Sequence, residues 1–296
     1  LRASFYPRLW QRWQQARTML CVGLDPELEQ LPPSLLEQLP RPASRNESYD
    51  GIAELLYRFA LLIAEATSDL VCAFKPNAAF YERYGAAGWR ALESIIHTLA
   101  FRYPDVPVIL DAKRGDVGST SQAYADSAFG SLRADAVTLH PYLGQDALQP
   151  FLEHAEYGCF ILCRTSNPGA AEFQDLIVRR EDGTGEPLFL AVARRVASTW
   201  NENNNCGLVV GATYPQELQM VRGVAGDVPI LVPGIGAQGG DLASVIRAGL
   251  DSQGGGLVIS ASRSILYASN GPDFAEAARY EAQRLRDEIE RLRQVG

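Results

Sequence analysis

Apolar residues along this chain gather in eight short runs rich in Val, Ile, Leu or Phe. They lie at 20–25, 70–77, 106–113, 136–142, 159–166, 207–213, 229–236 and 256–263. Near-continuous apolarity over so few residues predicts strands covered on both faces, as in a parallel sheet. Between the runs the spacing becomes helical. Within 49–68, Ile52, Leu55, Leu56, Phe59, Leu62 and Ile63 recur at three- and four-residue intervals, the mark of one apolar helix face. Trp89, Leu92, Ile95, Ile96 and Leu99 repeat it, and further helices are expected at 119–132, 146–157, 187–203, 215–225 and 241–250. The charged tail at 273–294 predicts a last helix docked by its apolar side.

Eight strand–helix alternations in 296 residues predict an α/β fold, a (β/α)₈ TIM barrel, as one domain over 1–296. The alternative is an open doubly wound sheet. Two stretches break the alternation. Residues 27–46 are proline-rich and directly follow the first run, so they are expected as a loop over the barrel's top. Residues 177–186 are charged, contain Gly183 and Gly185, and are expected as an insertion or mobile loop.

Composition narrows the function. Hydrophobic residues make up 47% of the chain, enough for a large core. The 27 basic and 35 acidic residues give a net charge of −8. That argues against broad nucleic-acid binding, which needs a basic face, but leaves room for one small anion on local cations. Cys21, Cys72, Cys159, Cys163 and Cys206 sit mostly in apolar runs and form no C-x-x-C pair. Buried reduced thiols are expected, and a zinc site is not. No apolar stretch is long enough to span a membrane, and the N-terminus lacks a signal-peptide pattern. A cytoplasmic location without membrane association is the expectation.

The chemistry-bearing residues collect at the C-terminal ends of the runs: Asp25, Lys75, Asp111 with Lys113, His140, Ser166 and Arg263. That is the face on which α/β barrels carry their active sites. In Asp111-Ala-Lys113-Arg-Gly-Asp116, strand alternation would point Asp111 and Lys113 together into the mouth and Ala112 outward. Asp116 then falls in the loop, one helical turn before Thr120. A helix-start charge cluster is the plain alternative. With Lys75, these residues make an alternating row of charge, suited to stabilising a transient anion. Pro233-Gly-Ile-Gly236-Ala-Gln238, followed later by Arg263, reads as a monophosphate site of backbone N–H groups and a guanidinium. The glycines also fit G-x-G-x-x-G, but they follow the seventh run rather than opening a first βαβ unit, which disfavours a dinucleotide. A tight turn with a surface arginine remains the simpler alternative. Thr165, Ser166 and Asn167 offer polar groups to a base edge, or merely cap a turn. His97 reads as structural, and His140 as near the site or packed beside it.

Here the chain resembles a known family. Asp111-x-Lys113-x-x-Asp116 at the end of a third barrel strand, with Phe74-Lys75-Pro-Asn77 and Ser166-Asn-Pro-Gly-Ala170, is similar to the orotidine 5′-monophosphate decarboxylase superfamily, in its longer bacterial type. The resemblance runs from Cys21-Val-Gly-Leu-Asp25 to Arg263. It implies decarboxylation to uridine 5′-monophosphate, the last step of pyrimidine nucleotide synthesis, without metal or cofactor. By it, Asp25 and Lys75 hold ribose hydroxyls and Asp111 sits beside the substrate carboxylate. Lys113 stabilises the C6 carbanion and supplies its proton. Asp116, Val117 and Thr120 enter the partner's site across a homodimer. Ser166 bonds the pyrimidine, Gln238 and Arg263 grip the phosphate, and Asn77 and Gly236 also contact substrate. The 27–46 insertion and the Ser-Ala-Ser before Arg263 depart from the shorter form of the family.

Two rival readings stand beside it. A metal-dependent sugar-phosphate aldolase or decarboxylase resembles the same motif but needs Mg²⁺ on oxygen ligands, where Lys75 puts a cation. A catalytically silent nucleotide-binding barrel would keep the site and lack turnover.

Overall fold

The computed structural model describes residues 4–37, 45–235 and 241–295. The barrel strands are β1 (Leu20–Leu24), β2 (Ala73–Pro76), β3 (Ile109–Arg114), β4 (Ala136–Leu139), β5 (Gly158–Arg164), β8 (Cys206–Val210), β9 (Ile230–Pro233) and β10 (Leu257–Ala261). A separate hairpin pairs β6 (Ile177–Arg179) with β7 (Gly185–Pro187).

The eight strands pair in parallel in the order β2-β1-β10-β9-β8-β5-β4-β3. Bridges Phe74↔Val108 and Asn77↔Asp111 join the two ends. The sheet therefore closes, and the open-sheet alternative falls away. β1, β2, β4, β8 and β10 are buried at every position, because side chains fill the barrel on one face and helices cover the other.

Each paired strand is shorter than its apolar run. The run at 136–142 pairs only over Ala136–Leu139, and that at 256–263 only over Leu257–Ala261. Tilted barrel strands stay in register for a few residues, and the chain then peels into the βα loops. His140, Ser166 and Arg263 consequently lie just past strand ends. The helices also differ at their ends. Residues 119–132 and 187–203 split into α-helix and a π-turn, at Asp126–Ser131 and Val196–Trp200. The helix expected to reach residue 157 stops at Leu152. Helix Phe274–Val295 closes the described chain and buries Phe274, Ala278, Ala282, Leu285 and Ile289.

Two features correct the sequence reading. Of the insertion or mobile loop expected at 177–186, the structure has the insertion, but as an ordered hairpin, β6–β7. Asp182 accepts from the N–H of Thr184, Gly183 takes φ +84°, and Arg180 N–H donates to Thr184 O at 2.8 Å. Turn chemistry at Asp182-Gly183 outweighs the polar composition. The second is an unanticipated helix, Phe5–Gln15, beneath the N-terminal ends of the strands. It buries Phe5, Leu9 and Trp13. Gly158 at the start of β5 is required there, since a Cβ would sit 2.5 Å from the Phe5 ring. Arg8 of this helix forms a buried ion pair with Asp135, whose other oxygen accepts Val108 N–H at 2.8 Å.

All five cysteines are free and buried. Burial pushes the thiols of Cys21, Cys163 and Cys206 up to about 12, so they pack as small apolar groups. Among the described residues, no helix is long and apolar enough to cross a membrane.

Candidate active site

Five of the residues singled out in the sequence meet at the C-terminal mouth of the barrel. Asp25, Lys75, Asn77, Asp111 and Arg263 line one cavity of about 390 Å³. That volume suits a nucleotide-sized ligand. Larger grooves of about 470 and 550 Å³ lie on the outer surface, against the hairpin and between two helices. Their charges are largely paired with one another, and they lack the convergence of strand ends seen at the mouth.

A charge row occupies the floor of the mouth. Lys75 Nζ lies 3.1 Å from Asp111 Oδ2, and Lys113 Nζ lies 2.6 Å from Asp111 Oδ1. The Lys75 side chain is 5% exposed and that of Lys113 is 49% exposed. Lys75 is thus a buried ammonium on the cavity wall, while Lys113 is the exposed one, bound to the opposite oxygen of Asp111 and not itself among the residues lining the cavity. Burial pushes the Asp111 carboxyl up, but Lys75, Lys113 and the bonds from Lys113 and Thr138 outweigh it and hold it well below the usual carboxylate range. Burial lowers Lys75, and the nearby Asp111 and Asp25 more than reverse this, so its ammonium is held charged.

Strand alternation alone does not produce this arrangement. β3 and β4 lose register between Leu110 and Arg114, and Lys113 adopts φ +49°. A non-glycine residue in the left-handed region costs about 1–3 kcal/mol and persists only when its surroundings impose it. Asp111 and Lys113 do meet as the sequence suggested, but through a bulge rather than an extended strand. Ala112 is partly buried and packs against the core.

Asp25 is held from three sides. Its Oδ1 accepts Asn77 N–H at 3.1 Å and its Oδ2 accepts Ser262 Oγ at 2.7 Å. Tyr267 Oη donates to the Asp25 carbonyl at 3.3 Å. Gly23 makes room for this: a Cβ there would lie 1.8 Å from Ser262 Oγ. At one end of the cavity, exposed Arg263 opens helix Arg263–Leu266 and shares the lining with Pro233, Gly234 and Ile235. Gly236 and Gln238 lie outside the described residues.

The remaining sequence candidates stand apart from this cavity wall. Ser166 lies past β5 against Gly211, where a Cβ on the glycine would come within 2.8 Å of it. Gln174 ties down the same loop, accepting Thr165 N–H at 2.8 Å and donating to Thr165 Oγ1 at 2.8 Å. Asp116 accepts Val117 N–H at 2.8 Å, Val117 is 57% exposed, and Thr120 is exposed on helix Gly118–Ala125. His140 is a structural residue of the mouth, its Nε2 donating to Gly115 O at 2.9 Å. His97 donates to Ser131 O at 2.9 Å on the outer layer. Among the described residues, no group of three His, Cys, Asp or Glu side chains is placed to hold a metal ion.

Sequence reasoning missed three residues here: Thr138, Ser262 and Tyr267. Thr138 had a signal, being the polar residue inside the apolar run Ala136–Leu139. Tyr267 had none, because its target is a backbone carbonyl 242 residues away.

Known proteins agree with this picture. The profile of the orotidine 5′-phosphate decarboxylase / HUMPS family matches residues 18–279. An orotidine 5′-phosphate decarboxylase from Herpetosiphon aurantiacus is 54% identical over 90% of this chain and 91% of its own length. Another, from Roseiflexus castenholzii, is 52% identical over 97% of each. The solved structure of Leishmania donovani OMP decarboxylase superposes with a TM-score of 0.79 at 38% identity, covering 99% of this chain and all of its own. A profile match across most of the barrel, and relatives sharing half their residues over nearly full length, place this chain in the orotidine 5′-phosphate decarboxylase / HUMPS family.

Proposed function

We propose that the chain converts orotidine 5′-monophosphate to uridine 5′-monophosphate and CO₂, by forming a carbanion at C6 that Lys113 stabilises and then protonates. The observation that carries this reading is the Lys75–Asp111–Lys113 row, whose Lys75 and Asp111 line a nucleotide-sized cavity together with Arg263.

The chemistry follows from charge. The C6 carbanion left by CO₂ has no good electron sink in the ring, so a fixed cation must meet the new charge where it appears. Lys113 is the exposed ammonium of the row, and Asp111, which lines the cavity, holds it beside the site. The ionised Asp111 lies where the substrate carboxylate approaches, and repulsion between the two eases as CO₂ departs. Lys75 balances Asp111 at its other oxygen and, with Asp25, offers polar atoms to the ribose from the cavity wall. Asn77 lies on the same wall. Ser166 and the loop that Gln174 fixes would meet the base edge.

Reaction of this kind needs a barrier reduction toward the upper part of the roughly 8–23 kcal/mol enzymes commonly provide. One ion pair cannot supply it. Binding energy from the remote phosphate, held by Arg263 with Gln238 and the Gly236 backbone, must help position the substrate and exclude water. Arg263→Ala is therefore expected to raise KM and lower kcat together, with kcat/KM down at least about 100-fold. Steady-state kinetics check this, and an unchanged kcat/KM would remove Arg263 from the phosphate site.

The assembly proposed is a homodimer in which Asp116, Val117 and Thr120 complete the partner's site. Their outward position and the 57% exposure of apolar Val117 support it. In a two-fold dimer each site then combines Lys113 of one chain with Asp116 of the other. Lys113→Ala and Asp116→Ala chains, each inactive, should recover roughly a quarter of wild-type activity when unfolded together and refolded as a mixture. No recovery in mixed dimers would place Asp116 in its own chain's site.

The direct test of function is loss of orotidine monophosphate absorbance on adding protein with excess chelator. Conversion under chelation supports the metal-free reading. Activity abolished by chelation and restored by Mg²⁺ would favour the enediolate chemistry of a sugar-phosphate enzyme. Tight binding of uridine monophosphate without turnover would favour a silent barrel.

A further inference from the structure

Thr138 is buried in the middle of β4, 1% exposed, and its hydroxyl makes three hydrogen bonds inside the active site. We propose that Thr138 is a positioning residue, whose hydroxyl fixes both the Asp111 carboxylate and the left-handed Lys113 backbone that together build the charge row.

A hydroxyl has one proton and two acceptor lone pairs. Backbone N–H groups can only donate, and those of Ala112 and Lys113 reach Thr138 Oγ1 at 3.0 and 2.9 Å. Both lone pairs are thereby taken. The single proton is left for Asp111 Oδ1, 2.9 Å away. The hydroxyl is thus a donor of fixed direction.

Two consecutive N–H groups cannot converge on one oxygen in a regular strand, where they alternate in direction. They do so here because β3 loses register with β4 and Lys113 turns to φ +49°. Thr138 supplies the acceptor that the broken ladder no longer provides, and so holds a strained backbone in place. The same oxygen of Asp111 takes both Thr138 and Lys113, while Lys75 takes the other. Without the hydroxyl, the two ammonium groups could draw the carboxylate into a different plane, and Lys113 would lose its aim. The ionic partners are unchanged by that loss; only their geometry is.

Thr138→Val keeps the branched shape and removes the hydroxyl, whereas Thr138→Ser keeps the hydroxyl. The kinetic readouts rest on the decarboxylase reading; a crystal structure of the Val variant does not. The Val variant is expected to lose at least about 30-fold in kcat, with KM and the Kd for uridine monophosphate within about threefold of wild type. Ser should stay within about threefold of wild-type kcat. A folded Val variant within twofold of wild type, or a Ser variant as impaired as Val, would overturn the proposal. Should Val not fold, Thr138→Cys takes its place: the thiol is a weak donor and acceptor of serine's shape, and Cys impaired beside active Ser is the supporting result. Equal activity of Cys and Ser overturns it. If the wild type itself fails to convert orotidine monophosphate, the proposed function falls. The structure of the Val variant then decides for Thr138: Lys113 leaving the left-handed region or Asp111 rotating off Lys113 supports the role, and an unmoved pair refutes it.

Discussion

Lys113→Ala should lower kcat/KM for orotidine monophosphate by at least about 10⁴-fold, the combined scale of a lost charge stabiliser and a lost proton donor. Two roles fall on one nitrogen. Its ammonium faces the carbon that becomes negative, and it holds the proton that carbon must receive. Water can replace the proton source only slowly, and Lys75 does not replace the charge, because it is 5% exposed and bound to the other oxygen of Asp111. The loss should appear in kcat more than in KM, because the interaction is made chiefly in the transition state. The Ala variant also leaves Asp111 facing the substrate carboxylate without its 2.6 Å counter-ion, which works against binding as well. Stopped-flow or steady-state assays at saturating substrate measure the effect, with uridine monophosphate binding as the control for folding. A loss of less than 100-fold would transfer the proton step to another group.

Asp135→Ala should have a comparably large effect on stability and little on catalysis. Asp135 and Arg8 are 2% and 5% exposed and pair beneath the strands, at the end of the barrel opposite the mouth. Removing the carboxylate takes the ion pair from a buried guanidinium and the acceptor from Val108 N–H. Breaking a buried pair from one side costs about 3–5 kcal/mol, which for a chain of this size lowers Tm by roughly 5–8 °C. The kcat of the folded fraction should stay near wild type, since the site is built at the other end of the strands. Thermal unfolding followed by calorimetry or circular dichroism reads the shift. A drop of less than 2 °C would mean that the Phe5–Gln15 helix is held by its apolar face and by Arg12, which donates to the carbonyls of Ser68 and Val71, without need of the ion pair.

The two substitutions separate what the barrel's two ends do. Arg8 and Asp135 sit where the strands begin, and their charge is spent on joining the N-terminal helix to the barrel. Lys113 and Asp111 sit where the strands finish, and their charge is spent on a strained, partly open arrangement. The left-handed Lys113 and the buried Lys75–Asp111 pair are costs that a purely structural strand end would not carry.

Much of the fold was legible before any coordinates. Strand identity follows from local burial on two faces, and that burial writes itself into continuous runs of Val, Ile and Leu. Asp111-x-Lys113-x-x-Asp116, Asp25, Lys75 and Arg263 were recognisable because their residue types are uncommon at the ends of such runs. The sequence alone determined the alternation, the barrel class and the set of charged residues bound for one face. Only the tertiary structure decided how they meet. The bulge that turns Lys113 to φ +49° depends on Thr138 from another strand. Asp25 depends on Ser262 and Tyr267 from the far end of the chain. The helix at Phe5–Gln15 is anchored through Asp135 and Gly158. Periodicity records which side of an element is covered, not by what. Contacts between residues far apart in the chain leave no local pattern, and here they are what set the geometry of the charge row.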